Sequence, residues 1–273
     1  MGCCAEQFKL HHLLFTSCRP SMFYKSQWNI RPLYEIYRTF AFSYWTSTFI
    51  AYFVKFRDKA HFLFYLSNWG QMFVFLYMTF AFSVCLLECV RKKPSLTKGV
   101  VVIEMAEKQQ NDERNFDKFL HRTKAMSGEK MRWYHITTGL MFVVAMDTAV
   151  IVSCLYPIVQ DSTYHGFSYF SINIHLINLV LLLVDLILNA IPLYMIQFVI
   201  ITAISALYGI ILLLLHVTHI KSAVYDSIDW GEAPLQALLV TLAMIIIAPV
   251  VVHAFVFGLY SFKRFLVNCF CKK

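Results

Sequence analysis

The chain has 273 residues, of which 59% are hydrophobic and only 15% are charged. A soluble domain usually carries about 25% charged residues, so this composition excludes a water-soluble globular enzyme. The net charge of +8 comes from basic residues clustered between apolar segments, where they orient helices and contact lipid. It therefore does not indicate a nucleic-acid-binding protein.

The chain begins with a basic segment, residues 1–35, that we expect in the cytosol. This segment opens with Met1-Gly2-Cys3-Cys4, and adjacent cysteines beside a membrane are sites of S-acylation. Two more cysteines, Cys269 and Cys271, lie in the basic tail formed by residues 263–273. The sequence predicts lipidation at these four cysteines, and the alternative is that they are ordinary unmodified thiols.

Six apolar segments of 19 to 30 residues lie between these ends, and roughly 20 residues suffice to cross a bilayer. Lipid offers the backbone no hydrogen-bond partner, so each segment must be a helix. In chain order they are Ile36–Val54, His61–Val90, Trp133–Tyr156, Ser168–Asn189, Pro192–His216 and Pro234–Tyr260. The sequence thus predicts an all-α integral membrane protein whose six transmembrane helices lie within residues 36–262.

The longest polar stretch, residues 91–132, follows the second span and alternates acidic with basic residues, which is typical of a solvated helix or loop. With six helices, both termini and this loop lie on one side of the membrane. That side carries 19 Lys and Arg residues, whereas the opposite side carries four. Basic loops stay in the cytosol, so both termini are predicted to be cytosolic.

Polar residues inside the spans are the candidates for function, because each is costly in lipid unless it has a partner. Ser67 and His175 each lie about seven residues from the outer end of a helix, hence roughly 10 Å deep, and Asp147 lies roughly 13 Å deep. One interpretation is a Ser67 nucleophile, a His175 base and an Asp147 carboxylate that orients the imidazole. Asn68 and Asn178 are then candidate oxyanion donors or supporting groups. The alternative is that all five residues only hydrogen-bond between helices and hold the bundle together.

Two further ionisable residues, Asp185 and His253, are expected together in the inner half of the bundle. His216 and His219 have a spacing seen in metal sites, but no third ligand lies near them in the sequence. We therefore predict that the chain uses no metal and no cofactor.

Short motifs along the chain resemble those of a known family. They are Ser26–Pro32, Tyr65–Gly70, Ile174–Asn178 and Tyr225–Trp230. From about residue 26 to residue 262 the chain resembles the Rolling stone-like family of multi-pass membrane proteins. That family is named for a fly plasma-membrane protein linked to myoblast fusion. The resemblance implies a plasma-membrane protein, rather than one of the endoplasmic reticulum, that acts in cell-surface or myoblast fusion processes.

A more distant likeness is to the androgen-induced family of intramembrane hydrolases, which use a Thr nucleophile and a His to cleave fatty-acid esters of hydroxy fatty acids. Their Thr would correspond to Ser67 and their His to His175. The Ser hydroxyl that replaces Thr is chemically competent for the same attack. The alternative function is therefore an intramembrane Ser/His hydrolase of fatty-acyl esters. Membrane lipids are the expected partners in both cases, and the sequence names no protein partner.

Overall fold

Most of the described residues form helices. The structure is a computed structural model that describes residues 7–16, 18–28, 30–56, 59–91, 131–159, 172–221 and 223–271. The longer helices are α1 (Arg31–Lys55), α2 (Leu66–Arg91), α3 (Trp133–Val159), α4 (Asn178–Leu188), α5 (Phe198–Val217), α6 (Pro234–Leu242) and α7 (Ala248–Cys271). No strand occurs within these ranges, which confirms the predicted all-α class.

Four helical segments of the described ranges are long and apolar enough to cross a membrane. They are Leu66–Arg91, Trp133–Cys154, Met195–Val217 and Pro234–Cys269. The prediction of six such segments is thus met only in part. α1 is not among the four, because Arg38 and the hydroxyl residues 46–48 interrupt its apolar sequence. The segment Asn173–Leu188 is apolar but shorter, and residues 168–171 of the predicted fourth span lie outside the described residues.

α3 is the central helix of the bundle. In the most apolar stretch of α3, 72% of the residues are buried inside the protein, whereas in that of α6 and α7 only 11% are. α3 packs against α2, α4, α5 and α7, and its buried residues Phe142, Met146 and Ala149 belong to the main core. A helix that is apolar on every side, as Trp133–Val159 is, is expected to be surrounded in this way.

α1 packs along α2 through stacked aromatic side chains. The ring centroids of Phe42 and Phe82 lie 4.6 Å apart, and those of Phe49 and Phe75 lie 4.7 Å apart. Each such pair contributes about 0.5–1.5 kcal/mol beyond the area it buries. α1 therefore belongs to the bundle, although it is less apolar than its neighbours.

The connection between α4 and α5 is extended. The fifth segment was expected to begin at Pro192, whereas the helix begins three residues later. Proline favours extended backbone at the preceding Ile191, whose N–H is accepted by the side chain of Asn189 at 3.1 Å. The next helix is capped when the N–H of Tyr194 donates to the side chain of Gln197 at 3.0 Å. These local bonds bring Asn189 and Tyr194 into the bundle.

Two π-helical turns occur within the described ranges. Ala243–Ile247 joins α6 to α7, just before Pro249, which lacks the N–H that would bond to the carbonyl four residues earlier. The other, Asn173–Ile177, leads into α4 and carries His175. Because π turns occur frequently at functional sites, the surroundings of His175 are of particular interest.

Candidate functional site

A buried ion pair joins α1 to α4. The Arg38 Nη2 atom lies 3.4 Å from Asp185 Oδ1, and the two residues are 2% and 0% exposed. Arg38 also donates to the hydroxyl of Tyr34 at 2.9 Å from Nε, while Tyr77 and Asn189 donate to Asp185 Oδ2. Charges inside a membrane bundle need such partners, because lipid cannot hydrate them. We call these five residues the Arg38 network.

The carbonyl groups at the end of α4 extend this network. A helix leaves its last four carbonyls without intrahelical partners, and these carry the negative end of the helix dipole. The donors are Trp28 Nε1 to Ile187 at 2.7 Å, Ser26 Oγ to Leu188 at 2.7 Å and Lys263 Nζ to Asn189 at 3.1 Å. The N-terminal segment and α7 thus close the end of α4.

A second buried pair joins α3 to α7. Asp147 Oδ2 lies 2.7 Å from His253 Nδ1, and both residues are 0% exposed. The other ring nitrogen of His253 lies 3.0 Å from the carbonyl oxygen of Tyr194. Both nitrogens therefore face acceptors, which suits a doubly protonated imidazolium paired with a carboxylate. We call this contact the Asp147–His253 pair.

This pair bears on two sequence interpretations. Asp147 was expected to orient His175, and Asp185 and His253 were expected to share the inner half of the bundle. His175 instead meets α3 at Ser153, whose hydroxyl donates to the His175 carbonyl. Ser153 lies six residues from Asp147, roughly 9 Å along the helix and on another face, so the carboxylate is directed toward α7.

The predicted nucleophile and base lie at neighbouring heights in the bundle. α2 packs against the π turn that carries His175. At this height, the side chains of Gln71 and Asn178 are buried, and neither amide atom of Gln71 nor the Asn178 oxygen meets a partner among the described residues. Ser67, half-buried near the start of α2, precedes Gln71 by four residues, roughly 6 Å along the helix. The Ser67–His175 assignment stays a prediction.

Asn68 holds the beginning of α2 in place. Its Nδ2 donates to the carbonyl of Phe62 at 2.6 Å, and its Oδ1 accepts from Tyr52 at 2.8 Å. The bond to Phe62 uses one of the two N–H donors of this amide, so only the other could serve an oxyanion. Of the four cysteines predicted to be lipidated, Cys269 is exposed, while Cys3, Cys4 and the side chain of Cys271 lie outside the described residues.

The N-terminal segment is a part of the core that sequence reasoning missed. The ring of His12 stacks on Tyr194 with centroids 3.8 Å apart, and Phe15 and Phe23 are fully buried. Burial raises the pKa of the Cys18 thiol, which lies 3.5 Å from the Tyr194 hydroxyl, so this thiol is a poor nucleophile for acylation. The aromatic residues of this segment were the available signal, since a solvated cytosolic tail has few of them.

Comparison with known proteins places the chain in a family. The family model described as Protein rolling stone matches residues 4–272. The chain is 24% identical over 268 residues to Protein rolling stone of Drosophila melanogaster, which covers 94% of this chain and 88% of the fly protein. No solved structure matches. With four apolar helices of spanning length, the match also indicates a membrane protein. The resemblance predicted from the short motifs is thereby confirmed, and the chain belongs to the Rolling stone family.

Proposed function

We propose that this chain is a six-span plasma-membrane protein that acts in a cell-surface process of the myoblast fusion type. The family match across residues 4–272 is the observation that supports this function best. The interior agrees with a structural role for its charges, because Arg38 pairs with Asp185 and Asp147 pairs with His253. Each pair ties two helices together and leaves its charges engaged.

In the proposed topology α1 and α4 cross the membrane beside the four more apolar segments, and both termini are cytosolic. Two contacts at different heights support this arrangement. The hydroxyl of Tyr37 donates to the Leu181 carbonyl at 2.6 Å, and the hydroxyl of Tyr44 donates to Asn173. α1 therefore runs antiparallel to the segment Asn173–Leu188 along its length, as two neighbouring spans of opposite direction do.

Depletion of this protein from fusing myoblasts is expected to lower the fraction of nuclei in multinucleated cells. The full-length chain, tagged at its C-terminus, should restore fusion, appear in the surface-biotinylated fraction and bind antibody only after permeabilisation.

Normal fusion after complete depletion would contradict the proposed process. Retention of the rescuing chain in the endoplasmic reticulum would contradict the proposed location, and labelling of the tag in intact cells would contradict the topology.

The Ser67/His175 hydrolase is a second candidate, supported by the π turn at His175 and, at the same height, by the Gln71 amide and the Asn178 side-chain oxygen, which meet no partner among the described residues. We expect a fluorophosphonate probe to label the wild-type protein and Ser67→Ala to abolish the label, because the nucleophile is lost. Ser83→Ala makes the same change at a half-buried position of the same helix and should leave labelling intact. An unlabelled wild type, or equal labelling of Ser67→Ala, would eliminate this mechanism.

A further inference from the structure

A pocket opens where the C-terminal end of α5 meets the loop that follows it. It is a small pocket that is partly open to solvent, and the residues that line it include Leu212, Leu215, Lys221, Tyr225, Ile228 and Trp230. The lining is therefore mainly apolar and aromatic, with one ammonium group. Neither the Arg38 network nor the Asp147–His253 pair contributes to it.

Two hydrogen-bond donors in the lining have unused capacity. Lys221 Nζ donates to the hydroxyl of Tyr65 at 3.1 Å and lies 5.1 Å from the centre of that ring. An ammonium group has three N–H donors, so two remain after this bond. The Trp230 indole nitrogen is buried, and in the described part of the chain it meets no acceptor. A buried indole N–H normally has an acceptor, so both groups can donate to the oxygen atoms of a ligand.

The position of the pocket indicates where that ligand comes from. The apolar segment of α5 ends at Val217, so the pocket lies at the level of lipid headgroups, where Trp, Tyr and Lys side chains concentrate. At the end of α5 and just after it, Leu214, Val217 and Ile220 are 54%, 61% and 60% exposed. These apolar side chains can contact acyl chains, and an ammonium group with an indole N–H suits a phosphate.

The charges around the pocket narrow the class of lipid. Asp226, Asp229 and Glu232 lie in the same loop as Lys221, so an anionic headgroup would meet net repulsion. A zwitterionic headgroup places its phosphate at Lys221 and Trp230 and its ammonium group toward the carboxylates. We propose that this pocket binds the phosphate of a zwitterionic phospholipid, a site that is independent of the fusion and hydrolase roles.

Native mass spectrometry of the purified full-length chain in detergent tests this site with added phosphatidylcholine and phosphatidylglycerol. We expect phosphatidylcholine to bind more tightly, and Lys221→Gln and Trp230→Phe each to weaken its binding about tenfold, as loss of one hydrogen bond to a charged group does. Lys221→Arg keeps the charge and should retain most of the binding. Lys59→Gln removes an exposed lysine at the same end of the bundle and should have no effect.

Three results would overturn the site. One is unchanged phosphatidylcholine binding by Lys221→Gln and Trp230→Phe, each with a melting temperature equal to that of the wild type. Another is tighter binding of phosphatidylglycerol, which would indicate charge-driven annular lipid. The third is displacement of phosphatidylcholine by millimolar inorganic phosphate, which would assign the pocket to a soluble anion.

Discussion

Arg38→Met is expected to destabilise the bundle by about 3–5 kcal/mol, because it leaves the buried Asp185 carboxylate without its cation. For a chain of this length the melting temperature in detergent should fall by roughly 10 °C. Tyr77 and Asn189 would still donate to the carboxylate, but neither carries a charge to balance it. Asp185→Leu should have a similar effect, since it leaves the Arg38 guanidinium buried.

A double variant distinguishes the loss of the whole ion pair from the loss of one of its charges. Arg38→Met with Asp185→Leu removes both charges, so it should be more stable than either single variant, although Tyr34, Tyr77 and Asn189 lose hydrogen-bond partners. Arg264→Met is the control. It removes an exposed arginine of α7, outside the buried pair, and should shift the melting temperature little. If the double variant melted below both single variants, the charges would not be compensating each other.

The sequence indicated which helices are present and which polar side chains are buried, but not which side chains meet. Apolar run length sets the helices, and the cost of a charge in lipid makes Asp147, Asp185 and His253 notable. Partners depend on the rotation of each helix and on which helices are neighbours. Asp147 and His253 are 106 residues apart, and nothing in the spacing selects that contact.

The pairing of Arg38 with Asp185 could have been predicted from the sequence. An arginine inside an apolar segment requires an acid, and Asp185 was the only acidic residue of the fourth span. Depth along each helix was estimated from assumed boundaries, and the Ser153 contact shows that His175 meets α3 nearer its C-terminal end than the turn that carries Asp147. The contact of His175 with α3 therefore depended on tertiary packing that composition and spacing do not encode.

The docking of the N-terminal segment is another tertiary contact that the sequence did not predict. Its basic residues predicted a cytosolic location, and this rule concerns the side of the membrane rather than contact with the bundle. Ser26 and Trp28 were selected as parts of a family motif, and the structure gives that motif a physical role at the end of α4. Polar side chains of this kind satisfy carbonyl groups that no residue of the helix itself can reach.

Gly139→Ala is expected to release the N-terminal segment from the bundle. A Cβ atom at this position of α3 would lie 2.6 Å from a ring carbon of Phe15 and 2.8 Å from one of Phe23. Both rings are fully buried, and Phe15 is already held at a φ of 57°, which a bulky residue rarely adopts. Neither ring can yield without losing its packing, so the clash should act mainly on the docking of residues 7–28.

Overpacking of this kind costs about 1–3 kcal/mol, so trypsin should cleave after Lys25 roughly tenfold faster in permeabilised membranes. Gly258→Ala is the matched control, because nothing lies within 4 Å of a Cβ atom at that position of α7. Equal cleavage of the two variants would show that the segment is not held by these contacts. Faster cleavage confined to Gly139→Ala, with the melting of α2–α7 little changed, would establish that the segment docks on a preformed bundle. Its displacement would then expose Tyr194, whose carbonyl accepts from His253, and so connect the N-terminus to the Asp147–His253 pair.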